Sequence, residues 1–266
     1  MDDRRGVLLK VAYDGGGFSG WAAQEGARTV EATLRGAIAA IDVNASAPRG
    51  ASRTDAGVHA AAQAAAFDST LPIDPRGWVL ALNAHLPDDV AVRSARLVPT
   101  GYQPRFSARG KRYRYGLLLD PVRDPEHART TWRVGFKLDP SAIRAGCNKL
   151  LGTHDFAAFR TSRDERKETE RTLERVDLVQ HGDDGRLASI VVVGSAFLHN
   201  MVRIIVGTLV AVGRGHLSPD CIAQAFATGS RAVLGSTAPA HGLTLEEVML
   251  DVPPIDLPEG GEPWPR

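Results

Sequence analysis

The run Ser52-Arg53-Thr54-Asp55-Ala56-Gly57-Val58-His59-Ala60 crowds a carboxylate, a guanidinium and an imidazole into one short polar stretch between two apolar ones. Asp55 can attack an electrophilic carbon or take a proton. Arg53, two positions earlier, shares its face wherever the backbone is extended. His59 adds a titratable ring, and Gly57 lets the chain take a positive φ. An ordinary surface turn with Asp55 as a cap or Asx-turn residue fits the same letters. The stretch alone does not decide between them.

Two further places carry chemistry. Lys111-Arg112-Tyr113-Arg114-Tyr115 reads as a strand in which Tyr113 and Tyr115 share a face. An aromatic flanked by Lys and Arg can stack on a base while its neighbours hold phosphates; a packed aromatic face is the plainer alternative. The run Phe197–Gly207 reads as a helix that is apolar nearly all round and therefore buried, with Arg203 inside it. A buried guanidinium is costly unless paired. Its partner is either some structural carboxylate or Asp55.

The elements that must position these groups follow in order. Gly6–Tyr13 is a strand, and Asp14-Gly15-Gly16-Gly17-Phe18-Ser19-Gly20-Trp21 is a glycine-rich loop that fits neither a P-loop nor a dinucleotide fingerprint. Thr29 caps a helix to Ile41, with Val30, Leu34, Ala37, Ile38 and Ile41 on one face. Ala47–Ala51 and Ala60–Phe67 flank the Asp55 loop as strands. Asp74-Pro75 starts a helix, and Val90–Val98 is a strand. This β-α-β-β-α-β order is ferredoxin-like. After the 111–119 strand, 120–135 reads as an inserted loop, Asp139-Pro140 as a helix start, and 161–171 as a charged connector. Strands 171–179 and 187–193 pair as a hairpin. A short helix follows Ser218-Pro219, and 242–250 is the closing strand. The second half thus repeats the first in outline. The expected architecture is α+β: two ferredoxin-like halves, 1–105 and 106–250, whose sheets join into one with a central catalytic cleft, and a Pro- and Gly-rich tail over 251–266.

Several of these strings together resemble one family. Arg53-Thr54-Asp55-Ala56-Gly57-Val58-His59-Ala60 resembles the signature of the tRNA pseudouridine synthase A family. Tyr13 to Trp21 resembles that family's opening motif, Lys111 to Tyr115 its tyrosine motif, Gly152-Thr153-His154-Asp155-Phe156 a landmark, Met201-Val202-Arg203 its arginine motif, and Ala238 to Leu243 its closing motif. The order is the same across nearly the whole chain. Ala22 stands where the family often has Gln, and Ser52 where it commonly has Gly. The resemblance implies that Asp55 is the nucleophile, that Tyr113 rather than Tyr115 lies against the target uracil, and that Arg203 pairs with Asp55. Arg53, Thr54, His59, Lys111, Arg112 and Tyr113 are the expected substrate contacts. It further implies a homodimer, no cofactor, and action on uridines 38 to 40 of the tRNA anticodon stem-loop.

Composition sets bounds on this. The 266 residues are 43% hydrophobic and 24% charged, with net charge +1, as expected of a globular chain. So small a net charge does not itself argue for nucleic acid. No apolar run reaches the roughly 18 residues of a membrane span, and the N-terminus lacks a signal core, so a cytoplasmic protein is expected. Cys147 and Cys221 support neither a disulfide framework nor a zinc site, and a metal-free site is expected. Two rival readings remain at this stage. One is an RNA-binding module without chemistry. The other is an N-glycosidic hydrolase, which usually needs a second carboxylate; Asp14 is the only tempting candidate.

Overall fold

The computed structural model describes residues 4–161, 164 and 166–252. The tail from 253 onward, and residues 162, 163 and 165 of the charged stretch, lie outside the described residues. The chain forms two compact units. One comprises Met1–Ala56, Ala60–Arg109 and Val248–Arg266, the other Gly57–His59 and Gly110–Glu247. Both mix helices with antiparallel strands, so the class is α+β.

The first unit is built from β1 (Arg5–Tyr13), α1 (Val30–Ile41), β2 (Arg49–Gly50), β3 (His59–Ser69), α2 (Pro75–His85) and β4 (Val90–Val98). Its strand order is β4-β1-β3-β2. β1 lies antiparallel to both neighbours, Leu9 facing Ala65 of β3 and Ala95 of β4. Being central, β1 reads as a nearly continuous apolar run rather than an alternating one. One face carries the apolar cluster Leu8, Ala51, Ala64, Ala66, Val98 and Tyr102, against which Val248, Leu250 and Val252 pack. The alanines of β3 allow that close approach. Elsewhere in the core, Phe67 meets Trp78 of α2 edge to face at 5.0 Å, and both are fully buried.

The helix starts follow local chemistry. The Thr29 hydroxyl accepts from Ala32 N–H at 3.4 Å, and Asp74 Oδ1 accepts from Gly77 N–H at 2.8 Å, with Pro75 in the first turn. Asn83 then ties α2 to β4: its amide donates to the Val92 carbonyl and accepts from the Val92 N–H.

The second unit holds β5 (Ala108–Leu118), β6 (Trp132–Arg133), α3 (Pro140–Leu150), β7 (Gly152–Asp155), β8 (Glu170–His181), β9 (Leu187–Gly194), α4 (Met201–Gly213), α5 (Asp220–Thr228) and most of β10 (Leu243–Leu250). Here the order is β10-β5-β9-β8-β7. Two details differ from the sequence reading. The 120–135 segment contains β6, which pairs parallel to the end of β5, Leu117 facing Trp132. The apolar helix starts at Met201 rather than Phe197, because Asn200 takes the left-handed conformation and breaks the run. The Gly-Thr-His-Asp-Phe landmark is a seat for α5: His154 stacks on Phe226 at 4.3 Å, and Phe156 and Phe159 close around the same ring.

Candidate active site

In the first unit the glycine-rich opening motif is built around the Asp55 loop. The Tyr13 and Thr54 hydroxyls are hydrogen-bonded at 2.8 Å, and both residues are buried. Trp21 N–H donates to the Thr54 carbonyl at 3.1 Å. Gly20 sits at φ +94, and a Cβ there would lie 2.7 Å from the Thr54 oxygen; only glycine permits that backbone contact. At the loop entrance, Ser52 N–H donates to Gln63 Oε1 at 3.1 Å, and Gln63 Nε2 donates back to the Ser52 carbonyl at 2.6 Å. The loop is therefore clamped on both sides of Arg53. Arg53 itself is exposed, and Asp55 is half-buried. Asp14, the second carboxylate weighed for a hydrolase, caps a local turn by accepting from Gly16 N–H at 2.9 Å.

In the second unit, Tyr113 and Arg203 each have a defined seat. Tyr113 is buried on β5 and meets Phe197 edge to face at 5.0 Å. Arg203 projects from the first turn of α4. Its Nε donates to the Ala238 carbonyl and its Nη1 to Asn200 Oδ1, both at 2.8 Å. Arg203 in turn offers its own carbonyl to Ala238 N–H. α4 can press on this segment only because Gly207 has no side chain: a Cβ there would lie 1.7 Å from the Ser236 carbonyl oxygen.

Tyr115, which spacing alone allowed as the functional tyrosine, is fully buried and donates its hydroxyl to the Pro239 carbonyl at 2.7 Å. Burial raises its pKa far above the ordinary phenol value, partly offset by the positive charge of Arg203. It stays a neutral donor within the core.

His59 is buried too. Its Nε2 lies 2.9 Å from the Arg129 carbonyl and 3.1 Å from the His241 carbonyl, so this nitrogen carries the proton and donates to both. The segment Ala238–Gly242 thereby contacts Arg203, Tyr115 and His59, and the chain reaches His59 directly from Asp55 through Gly57, which has φ +78. Lys111 shares the face of Tyr113 on β5. Arg112 projects to the opposite face and pairs with Glu247 at 3.4 Å.

Sequence reasoning overlooked Gln63, Asn200 and Phe197. None left a signal in the sequence: Phe197 and Asn200 lie inside the apolar run, and Gln63 reads as an ordinary strand position. Among the described residues, one carboxylate and imidazole group is compact enough to share an ion: Asp124, Glu126 and His127. There Asp124 already accepts from the His127 ring and lies beside Arg186.

A sequence profile for tRNA pseudouridine synthase matches residues 147–251. Proteins named tRNA pseudouridine synthase A align along almost the entire chain. That of Citrifermentans bemidjiense is 44% identical, covering 92% of this chain and 97% of the relative. That of Geobacter sulfurreducens is 42% identical over 92% and 99%, and that of Myxococcus xanthus 39% identical over 96% and 96%. Identity at this level over such lengths establishes membership: the chain belongs to the tRNA pseudouridine synthase A family.

Proposed function

We propose that this protein isomerises uridine to pseudouridine in tRNA, with Asp55 as the reacting carboxylate on a flipped-out nucleotide. The reaction breaks the bond from ribose C1′ to N1 of uracil and makes one from C1′ to C5; C5 loses its proton and the freed N1 gains one, so the product is an isomer of the substrate. A carboxylate can begin this by attacking C1′, by adding to C6, or by removing a ribose proton. All three routes need it ionised and shielded from water, a state that a nearby guanidinium favours. Arg203 is assigned that task. Tyr113 holds the uracil face and keeps the base from escaping. Arg53, exposed beside Asp55, fills the stack left by the extruded base or holds its phosphate, with Lys111 as a further phosphate contact. Thr54 and His59, buried and tied to fixed partners, shape the loop around the substrate.

The observation that carries this reading is the segment Ala238–Gly242, which holds the Arg203 guanidinium and the His59 ring, four residues on from Asp55. That arrangement gives the family's arginine and closing motifs a shared purpose. The Asp14 cap argues against a two-carboxylate hydrolase. The strand orders β4-β1-β3-β2 and β10-β5-β9-β8 support the ferredoxin-like reading of both halves. The joined sheet with its central cleft belongs to the same proposal.

The family resemblance points to uridines 38 to 40 of the anticodon stem-loop as the substrate. Extruding a base costs a few kcal/mol, least where it is already unpaired, and a stem-loop keeps that cost low. A homodimer doubles the local basic surface of a chain of net charge +1 and extends its grip on tRNA. The cytoplasm is where such a substrate is met. Among the described residues, no helix is long and apolar enough to cross a membrane.

The test is pseudouridine mapping in tRNA incubated with purified protein. Asp55→Asn is expected to bind tRNA and form no product, and Arg203→Met to lose activity. Pseudouridine made by the Asp55 variant overturns the assignment, and free uracil released by the wild type favours the hydrolase.

A further inference from the structure

Asn200 is the one non-glycine residue with positive φ among those described, at φ 63, ψ 4. It stands at the start of α4, where an Asn ordinarily has extended backbone and a side chain that accepts from the second or third helical N–H. Asn200 does neither. Its side chain makes no capping bond. Instead Oδ1 accepts from Arg203 Nη1 at 2.8 Å, while the backbone still opens the helix through Ile204 N–H to the Asn200 carbonyl at 2.9 Å. Asn takes the left-handed conformation more readily than other non-glycine residues, and here the neighbouring bonds hold it there. Met201 N–H bonds the Leu198 carbonyl. His199 N–H bonds Asp164 Oδ2 at 2.9 Å. Arg166 Nη1 bonds the Phe197 carbonyl at 3.1 Å. The whole turn is fastened, and its result is an acceptor aimed at one nitrogen of Arg203.

The second anchor comes from elsewhere in the unit. Arg203 Nε donates to the Ala238 carbonyl at 2.8 Å. Two acceptors on two nitrogens of a planar group fix both its position and the tilt of its plane. Losing the Asn200 acceptor removes one of these two constraints on the guanidinium plane.

We propose that Asn200 is a positioning residue for the reaction, giving up its role as a helix cap to set the plane of the Arg203 guanidinium. This rests on the reading that Arg203 acts on the reacting carboxylate. Catalytic geometry is sensitive to such alignment, so losing the acceptor lowers kcat more than it weakens tRNA binding.

Asn200→Gly separates this from a structural role, because glycine accepts the left-handed backbone without strain and removes only the acceptor. With purified full-length protein and tRNA, Asn200→Gly is expected to lower kcat about tenfold, as for loss of a charge-assisted hydrogen bond. KM for tRNA stays within about twofold, and the melting temperature stays close to wild type. If Asn200 works through Arg203, Asn200→Gly added to Arg203→Lys slows it no further. Wild-type kcat in Asn200→Gly beside an impaired Arg203→Met overturns this inference alone, as does a full multiplicative effect in the double variant. Wild-type kcat in Arg203→Met overturns the reading of Arg203 and this inference with it.

Discussion

Gln63 holds Ser52 from both sides, accepting from its N–H and donating to its carbonyl, with the Gln63 side chain wholly removed from solvent. A side-chain amide here does what a neighbouring strand would do, at the point where the chain leaves regular pairing to enter the Asp55 loop. Gln63→Leu strands two buried backbone groups, each costing about 1–3 kcal/mol. The expected loss is about 2–6 kcal/mol of stability, read from the shift in urea midpoint at constant m, together with a lower kcat. An unchanged midpoint would show that the loop holds itself.

Among the glycines of the second unit, Gly207 makes the closest backbone approach. A methyl group there would sit inside the Ser236 carbonyl, so α4 or the segment it faces must retreat. Gly207→Ala is expected to cost about 3 kcal/mol and to lower the melting temperature. The retreat also moves the Ala238 carbonyl off Arg203 Nε. Activity should therefore fall even at temperatures where the variant is folded, and full activity in folded Gly207→Ala would refute the coupling.

Asp164 is a buried carboxylate that receives the Arg166 guanidinium and the His199 N–H. The Arg166 hydrogen bonds hold its pKa well below the ordinary carboxylate value. A carboxyl depressed in the folded state adds stability in full above its unfolded pKa, about 3.9. That stability disappears as pH falls toward the folded value. Wild type should exceed Asp164→Asn by about 1.5–3 kcal/mol at pH 7, and the gap should close below pH about 4. A gap that does not depend on pH would assign the difference to packing.

Both cysteines are buried and reduced. Burial pushes the Cys147 thiol up to about 12 and raises Cys221 as well. Since the thiolate is the reactive form, neither should react with a disulfide reagent at pH 8 until urea unfolds the chain. Rapid labelling of native protein would contradict that burial.

The parts legible in the sequence are those whose signal is local. Thr29, Asp74-Pro75 and Asp139-Pro140 mark helix starts because capping is decided within one turn. β1 and β4 announce themselves through apolar runs. β6 does not, because two residues carry no period and its pairing is set by Leu117, fifteen positions upstream. The start of α4 was misplaced for a related reason: Phe197 and Leu198 continue the apolar pattern, and only backbone conformation at Asn200 ends it. In the candidate site, Asp55, Tyr113 and Arg203 stood out by residue type. Gln63 reads as an ordinary polar strand position, and Asp164 as one more charge in a charged stretch. What singles them out is a hydrogen bond to a distant backbone group, which spacing does not encode.

The first unit includes Val248, Leu250 and Val252 in its apolar packing against Leu8, Ala64 and Ala66. During synthesis, its early strands leave the ribosome long before those last residues exist. At typical elongation speeds the wait is roughly ten to forty seconds. Throughout that interval a nascent chain presents the underside of β1 and β3 uncovered, a ready client for chaperones. Truncation just before Val248 should leave this half sticky and prone to clumping, even though every residue around Asp55 has been made.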